Sequence, residues 1–142
     1  MSMSDRDGKI WMDGRLIEWR DATTHVLTHT LHYGMGVFEG LRAYDTPHGP
    51  AIFRLQAHTR RLFNSARIFQ LELPFDEATI GQACGQVIRA NAYGACYLRP
   101  LVWIGSQVLS IAATDNRIHV AVAGWPLGAY LGDEGMESGI RV

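Results

Sequence analysis

Short apolar runs separated by polar punctuation fill the first fifty residues, and helical spacing takes over after them. Apolar runs at 9–12 and 16–19 flank Asp13-Gly14. An Asp-Gly pair between two such runs predicts a β-hairpin. Residues 28–37 are rich in His and Gly and hold no clean period, and a short helix is the expectation there. Runs at 40–44 and 51–54 predict two more strands, joined by the turn-rich stretch 45–50. Over 55–69, Leu55, Leu62, Ala66 and Phe69 recur at helical spacing and predict a core-facing stripe. A second helix is predicted within 73–91, with Asp76 as N-cap, Phe75 and Ile80 placed for a hydrophobic staple, and Gly94 as terminator. Its buried stripe is Ile80, Ala83, Cys84, Val87 and Ile88. β-Branched and aromatic residues predict strands at 97–104 and 118–124, with a loop over 105–116 between them and a Gly/Pro-punctuated stretch at 125–132. The sum is an α+β fold, a largely antiparallel sheet flanked by two helices.

Composition narrows the partners. A chain of 142 residues fits one domain, and at this size about 70% of the unfolded surface is buried on folding. The net charge is -1 and the twelve arginines are scattered. That balance gives no electrostatic reason to expect nucleic acid or an anionic membrane as partner. No apolar stretch has the length of a bilayer span. Residues 1–8 are polar, carry no secretory pattern and are expected to form a disordered tail. Cys84 and Cys96 fall on apolar positions and are expected to be buried thiols, so a cytoplasmic setting is the default.

Three groups of residues hold candidate chemistry. The densest is His32-Tyr33-Gly34-Met35-Gly36-Val37-Phe38-Glu39-Gly40-Leu41-Arg42, where glycines let the backbone approach a ligand closely. Its glycines loosely suggest a dinucleotide loop, but the spacing is not G-x-G-x-x-G and no βαβ unit surrounds them. Next is Tyr97-Leu98-Arg99-Pro100. Strand alternation puts Tyr97, Arg99, Leu101 and Trp103 on one face, and a guanidinium beside a phenol in apolar surroundings suits a carboxylate. Pro100 cannot donate to a ladder and is expected at an edge or bulge. Arg61 lies at the boundary of the first helix's buried face, on a stripe with His58 and Ser65, and either solvates its head or reaches an anion. His25, His29 and His32 share helical spacing, but no further ligand completes a metal set, and backbone groups can satisfy His29 and His32. The sequence has one lysine, Lys9.

Taken together these motifs resemble the N-terminal part of branched-chain amino acid aminotransferases, fold-type IV enzymes that use pyridoxal 5′-phosphate. The resemblance rests on Ile10-Trp11-Met12-Asp13-Gly14, His32-Tyr33-Gly34, Val37-Phe38-Glu39-Gly40-Leu41-Arg42, Phe53-Arg54 with His58 and Arg61-Leu62, Tyr97-Leu98-Arg99-Pro100, and Trp125-Pro126-Leu127-Gly128-Ala129-Tyr130-Leu131-Gly132. It implies that Arg61 binds the cofactor phosphate, that Tyr97 lies near the substrate α-carboxylate, and that Arg99 takes the side-chain carboxylate of glutamate. It further implies that Phe38, Gly40 and Tyr130 shape the side-chain pocket, and that Tyr33 and the 105–116 loop reach the partner subunit's site in a homo-oligomer. Leu127 stands where many relatives have tryptophan.

The same resemblance sets the functional expectation. The parent reaction transfers an amino group from leucine, isoleucine or valine to 2-oxoglutarate, so the partners are small amino acids and 2-oxo acids. Residues 9–132 would form the small domain. Residues 133–142 would begin a linker to a larger cofactor-binding domain that bears the Schiff-base lysine. No catalytic residue is then expected in this chain, which would be inactive alone, would not hold the cofactor covalently and is not expected to bind it. Phe38, Tyr97 and Trp103, or their neighbours, are expected on an exposed, rather apolar face toward that larger domain. The alternative is a stand-alone binding or interaction module built on the same fold.

Overall fold

The computed structural model describes residues 2–112 and 114–126. Strand β1 (Lys9–Met12) pairs antiparallel with β2 (Arg15–Glu18) about the predicted Asp13-Gly14 turn. Both turn residues take positive φ, 48° and 97°, as a type I′ hairpin turn requires. A 3-10 turn (Trp19–Asp21) leads to helix α1 (His29–Tyr33), which ends at left-handed Gly34. Strands β3 (Gly36–Phe38), β4 (Leu41–Tyr44) and β5 (Ala51–Ile52) follow. Helices α2 (Leu55–Ile68) and α3 (Glu77–Ala90) precede the two long strands β6 (Cys96–Ile104) and β7 (Ile118–Trp125).

These strands form one seven-stranded antiparallel sheet in the order β2-β1-β7-β6-β4-β5, with β3 also paired to β6. Both long helices pack on the same face. Leu62 and Ala66 of α2 and the whole predicted stripe of α3 join Trp11, Leu98, Val102, Val120 and Val122 in one core. The α3 N-cap is as predicted: Thr79 donates its backbone N–H to Asp76 Oδ1 at 2.8 Å. Phe75 packs edge-on against Trp11, with ring centroids 5.0 Å apart.

Several local expectations are corrected. Phe69 lies just past the end of α2 and is 42% exposed. Thr59, on the same stripe as Leu62 and Ala66, is buried as well, and its hydroxyl donates to the Leu55 carbonyl at 3.0 Å. Gly94 does not terminate α3. The helix ends at Ala90 with Asn91 as its C-cap, followed by Ala92 with φ 51°. The Asn91 carboxamide bonds both the N–H and the carbonyl of Lys9, tying helix end to β1 through two hydrogen bonds that a glycine cannot make. Residues 2–8, expected as a disordered tail, dock on the 3-10 turn. Trp19 Nε1 donates to the Met3 carbonyl, and Arg20 pairs with Asp5 and Asp7.

Pro100 occupies neither an edge nor a bulge but the central strand β6. Strand β3 pairs with residues 101–103 and β4 with residues 96–98, so the ladder on that side lapses at 99–100. The Pro100 carbonyl accepts from Glu39 N–H at 3.0 Å on that side. A strand residue's nitrogen and carbonyl point the same way, so the missing N–H falls into the gap between β3 and β4.

Cys84 and Cys96 are free and buried, as expected. Burial pushes the Cys84 thiol up to about 12, which leaves almost no thiolate at neutral pH. Neither cysteine should therefore react with a thiol-specific reagent until the protein unfolds, as followed by absorbance. Leu98 is fully buried, and Leu98→Ala should lower stability by about 2–5 kcal/mol in urea denaturation.

Candidate functional site

Alternation along β6 sorts its side chains. Cys96, Leu98, Pro100, Val102 and Ile104 turn under the helices, and Tyr97, Arg99, Leu101 and Trp103 face the opposite side. Residues directly opposite one another in an antiparallel pair share a face. Phe38 stands opposite Leu101, Arg42 opposite Tyr97, and Trp125 opposite Tyr97 on the other side, so all three join the second face.

At the centre of that face Arg99 Nη2 donates to the Tyr97 hydroxyl at 2.9 Å. The guanidinium carbon lies 4.3 Å from the centroid of the Phe38 ring and 5.3 Å from that of Tyr97. The Trp125 ring lies 4.9 Å from Tyr97. Among the described residues every ion pair belongs to another cation, and Arg99 Nε is buried with no partner. An arginine held against aromatic rings with unused donors is suited to a carboxylate ligand. Gly40 belongs to this arrangement by exclusion, because a Cβ there would collide with the Tyr97 hydroxyl. Beside Arg99 opens an apolar cavity of about 340 Å³, lined among others by Ile10, Met12, Leu101 and Ala123.

A second cluster lies one backbone step away. Glu39 is 4% exposed and receives both Nε and Nη2 of Arg61, the latter at 2.7 Å, and His58 Nδ1 at 2.9 Å. Burial opposes the Glu39 charge, but the hydrogen bonds from Arg61 and His58, together with the Arg61 charge, outweigh it and hold the carboxyl below its ordinary range. Arg61 itself is 65% exposed, and its Nη1 amino group is left for another acceptor. The sequence pointed to Arg61 but assigned no role to Glu39. The available signal was the one acidic residue in a glycine-rich apolar segment, on the alternate phase to Phe38 and Gly40.

Of the candidate residues, the structure thus brings Phe38, Gly40, Tyr97 and Arg99 together. Tyr33 lies apart on α1, its ring 4.5 Å from His29. Tyr130, Leu127 and the 133–142 stretch lie outside the described residues. On the face expected to be exposed, Phe38 and its neighbour Leu101 are exposed and Tyr97 is half-buried, whereas Trp103 is buried and stacks on His119 at 5.2 Å. His29 and His32 bond the carbonyls of Ser110 and Val26 through Nε2, at 2.9 Å each. Lys9 shares the helix-covered side with Trp11, while Ile10 and Met12 face the cavity; its ammonium pairs with Glu18.

Comparison with known proteins bears on this geometry. A branched-chain-amino-acid aminotransferase of Pseudomonas aeruginosa is 56% identical over all 142 residues, which correspond to 46% of its length. The crystal structure of the Escherichia coli branched-chain amino acid aminotransferase superposes with a TM-score of 0.91 at 39% identity, over 96% of this chain and 45% of that one. The branched-chain aminotransferase of the thermophilic archaeon Thermoproteus uzoniensis, solved with norvaline, gives a TM-score of 0.84 at 37% identity, over 89% of this chain and 43% of that one. The chain therefore spans a little under half the length of these relatives. Residues 36–141, which include both clusters, match the amino-transferase class IV family. The chain belongs to that family, and Arg99 and Arg61 lie within the matched region.

Proposed function

We propose that this chain is the substrate-recognising part of a branched-chain amino acid transaminase, exchanging an amino group between leucine, isoleucine or valine and 2-oxoglutarate. One observation carries the reading: a guanidinium without a carboxylate partner among the described residues lies over the Phe38 ring and bonds the Tyr97 hydroxyl. Such a site has to accept two kinds of side chain in turn. An aliphatic chain finds the Phe38 ring and the apolar surroundings. A 2-oxoglutarate side chain finds the unspent donors of Arg99. Tyr97 serves both, orienting Arg99 with its hydroxyl oxygen and offering its hydroxyl proton to the α-carboxylate end.

Pyridoxal 5′-phosphate, when bound, supplies the electron sink for amino-group exchange. The chain's donor set fits its phosphate end, for which Arg61 offers an exposed guanidinium with a free Nη1. It does not fit the aldehyde end. That end needs a primary amine, and Lys9 is turned to the opposite side of the sheet and paired with Glu18. The proposed task of these residues is therefore to bind and orient. A homo-oligomeric assembly and a cytoplasmic setting belong to the same proposal, supported by the exposed apolar side chains Val26, Leu31, Val108 and Ile111 and by the two free thiols.

Two measurements test it, and a third tests the packing that shapes the site. In a transaminase assay of the enzyme containing these residues, Arg99→Ala should raise KM for 2-oxoglutarate by about 10- to 100-fold and change KM for leucine far less. Equal losses for both substrates contradict the assignment. Borohydride treatment of the 142-residue chain with pyridoxal 5′-phosphate should leave no specific adduct at Lys9 in a peptide map. Gly40→Ala should cost about 1–3 kcal/mol by overpacking against Tyr97. Adding Tyr97→Phe, which removes the obstructing hydroxyl, should recover part of that loss in thermal denaturation.

A further inference from the structure

The Glu39–His58–Arg61 cluster is built asymmetrically. Its carboxylate is almost fully buried, whereas its arginine is mostly in solvent. For stability alone this arrangement is poor. An exposed arginine gains little from an ion pair, and a buried carboxylate loses its hydration. Both Glu39 oxygens are nonetheless engaged, Oε1 by Arg61 Nε and Oε2 by Arg61 Nη2 and His58 Nδ1. Because His58 Nδ1 faces a carboxylate, the ring proton belongs on that nitrogen. The 3.4 Å approach of Arg61 Nη2 to the same nitrogen then brings two donors together and is a packing contact.

The two-pronged bond fixes the plane of the guanidinium as well as its position. An unrestrained arginine at this exposure would sample many rotamers. Glu39 is itself fixed by its backbone bond to Pro100, and His58 is fixed one helical turn before Arg61 on α2. The result is a rigid carboxylate that turns one edge of the guanidinium inward and leaves Nη1 outward. The backbone also links the two clusters, because Glu39 immediately precedes Gly40, which abuts Tyr97.

We propose that Glu39 and His58 are positioning residues that lock the Arg61 guanidinium in the orientation in which its free Nη1 edge receives a phosphate monoester. This rests on the reading of Arg61 as the phosphate anchor. Neither residue touches the phosphate. Both act through Arg61.

The test uses the isotopically labelled 142-residue chain, with NMR detection of the Arg61 side-chain N–H signals. Pyridoxamine 5′-phosphate and pyridoxamine serve as probes, since neither requires an aldehyde-accepting lysine. In the wild type, Arg61 Nε–H should exchange with water about tenfold more slowly than an unpaired surface arginine, and the phosphorylated probe alone should shift it. Glu39→Gln should remove the protection and weaken the phosphorylated probe by about 5- to 20-fold, with pyridoxamine unaffected. His58→Asn guards against a folding defect, because it leaves Glu39 charged; it should weaken the phosphorylated probe by about two- to fivefold. Restoration of both protection and affinity by Glu39→Asp supports positioning over bulk stability. If the probe shifts Arg61 but neither Glu39→Gln nor His58→Asn alters protection or affinity, the positioning role is overturned and the phosphate reading stands. If Glu39→Gln removes protection but no phosphate-specific shift occurs in the wild type, the phosphate reading fails and the inference with it.

Discussion

A single backbone hydrogen bond, from Glu39 N–H to the Pro100 carbonyl at 3.0 Å, sets the level at which two half-strands meet the central strand. It spans the gap where neither β3 nor β4 pairs with β6. Proline is tolerated there because the lost donor has no partner to miss. Once that level is set, alternation does the rest. Glu39 goes under the helices to meet His58 and Arg61, and its neighbours Phe38 and Gly40 go to the other face to meet Arg99 and Tyr97. One register, shared by β3 and β4 and carried across the gap by that bond, therefore places both clusters.

The two faces of the sheet differ in consequence. Under the helices, side chains such as Leu98, Val102 and Val120 are packed to exclusion of water, which suits holding shape. On the other face, Phe38 and Leu101 remain exposed and a cavity opens beside Arg99. Binding groups belong on that side because a ligand has to displace something weaker than a close-packed core. Their geometry is nevertheless inherited from the packed side, through the same strands.

Much of this was legible in the sequence where one period governed. The α3 stripe and the split of β6 into two faces follow from helical and strand spacing, and the hairpin follows from Asp-Gly. Errors arose where a residue's fate depended on a distant partner. Asn91 displaced Gly94 as the end of α3 because its amide bonds Lys9, 82 residues earlier. Phe69 left the stripe because α2 stops at Ile68, and Thr59 joined it because a hydroxyl can return to its own helix while remaining buried. Trp103 is covered by contacts that no local pattern announces. Of the candidate site, Tyr97 and Arg99 were visible as neighbours on one strand. The role of Glu39 was not, because its partners His58 and Arg61 are 19 and 22 residues away.

The two residues between β3 and β4 also constrain how this segment can change over time. Inserting or deleting a single residue between Phe38 and Leu41 shifts one half-strand by half a pleat and exchanges its inward and outward side chains. A change of two residues preserves the parity. Length variation here is thus restricted to even steps, even though the segment carries no ladder of its own. In lineages descended from this fold, the spacing should drift less than the residue types on either side of it.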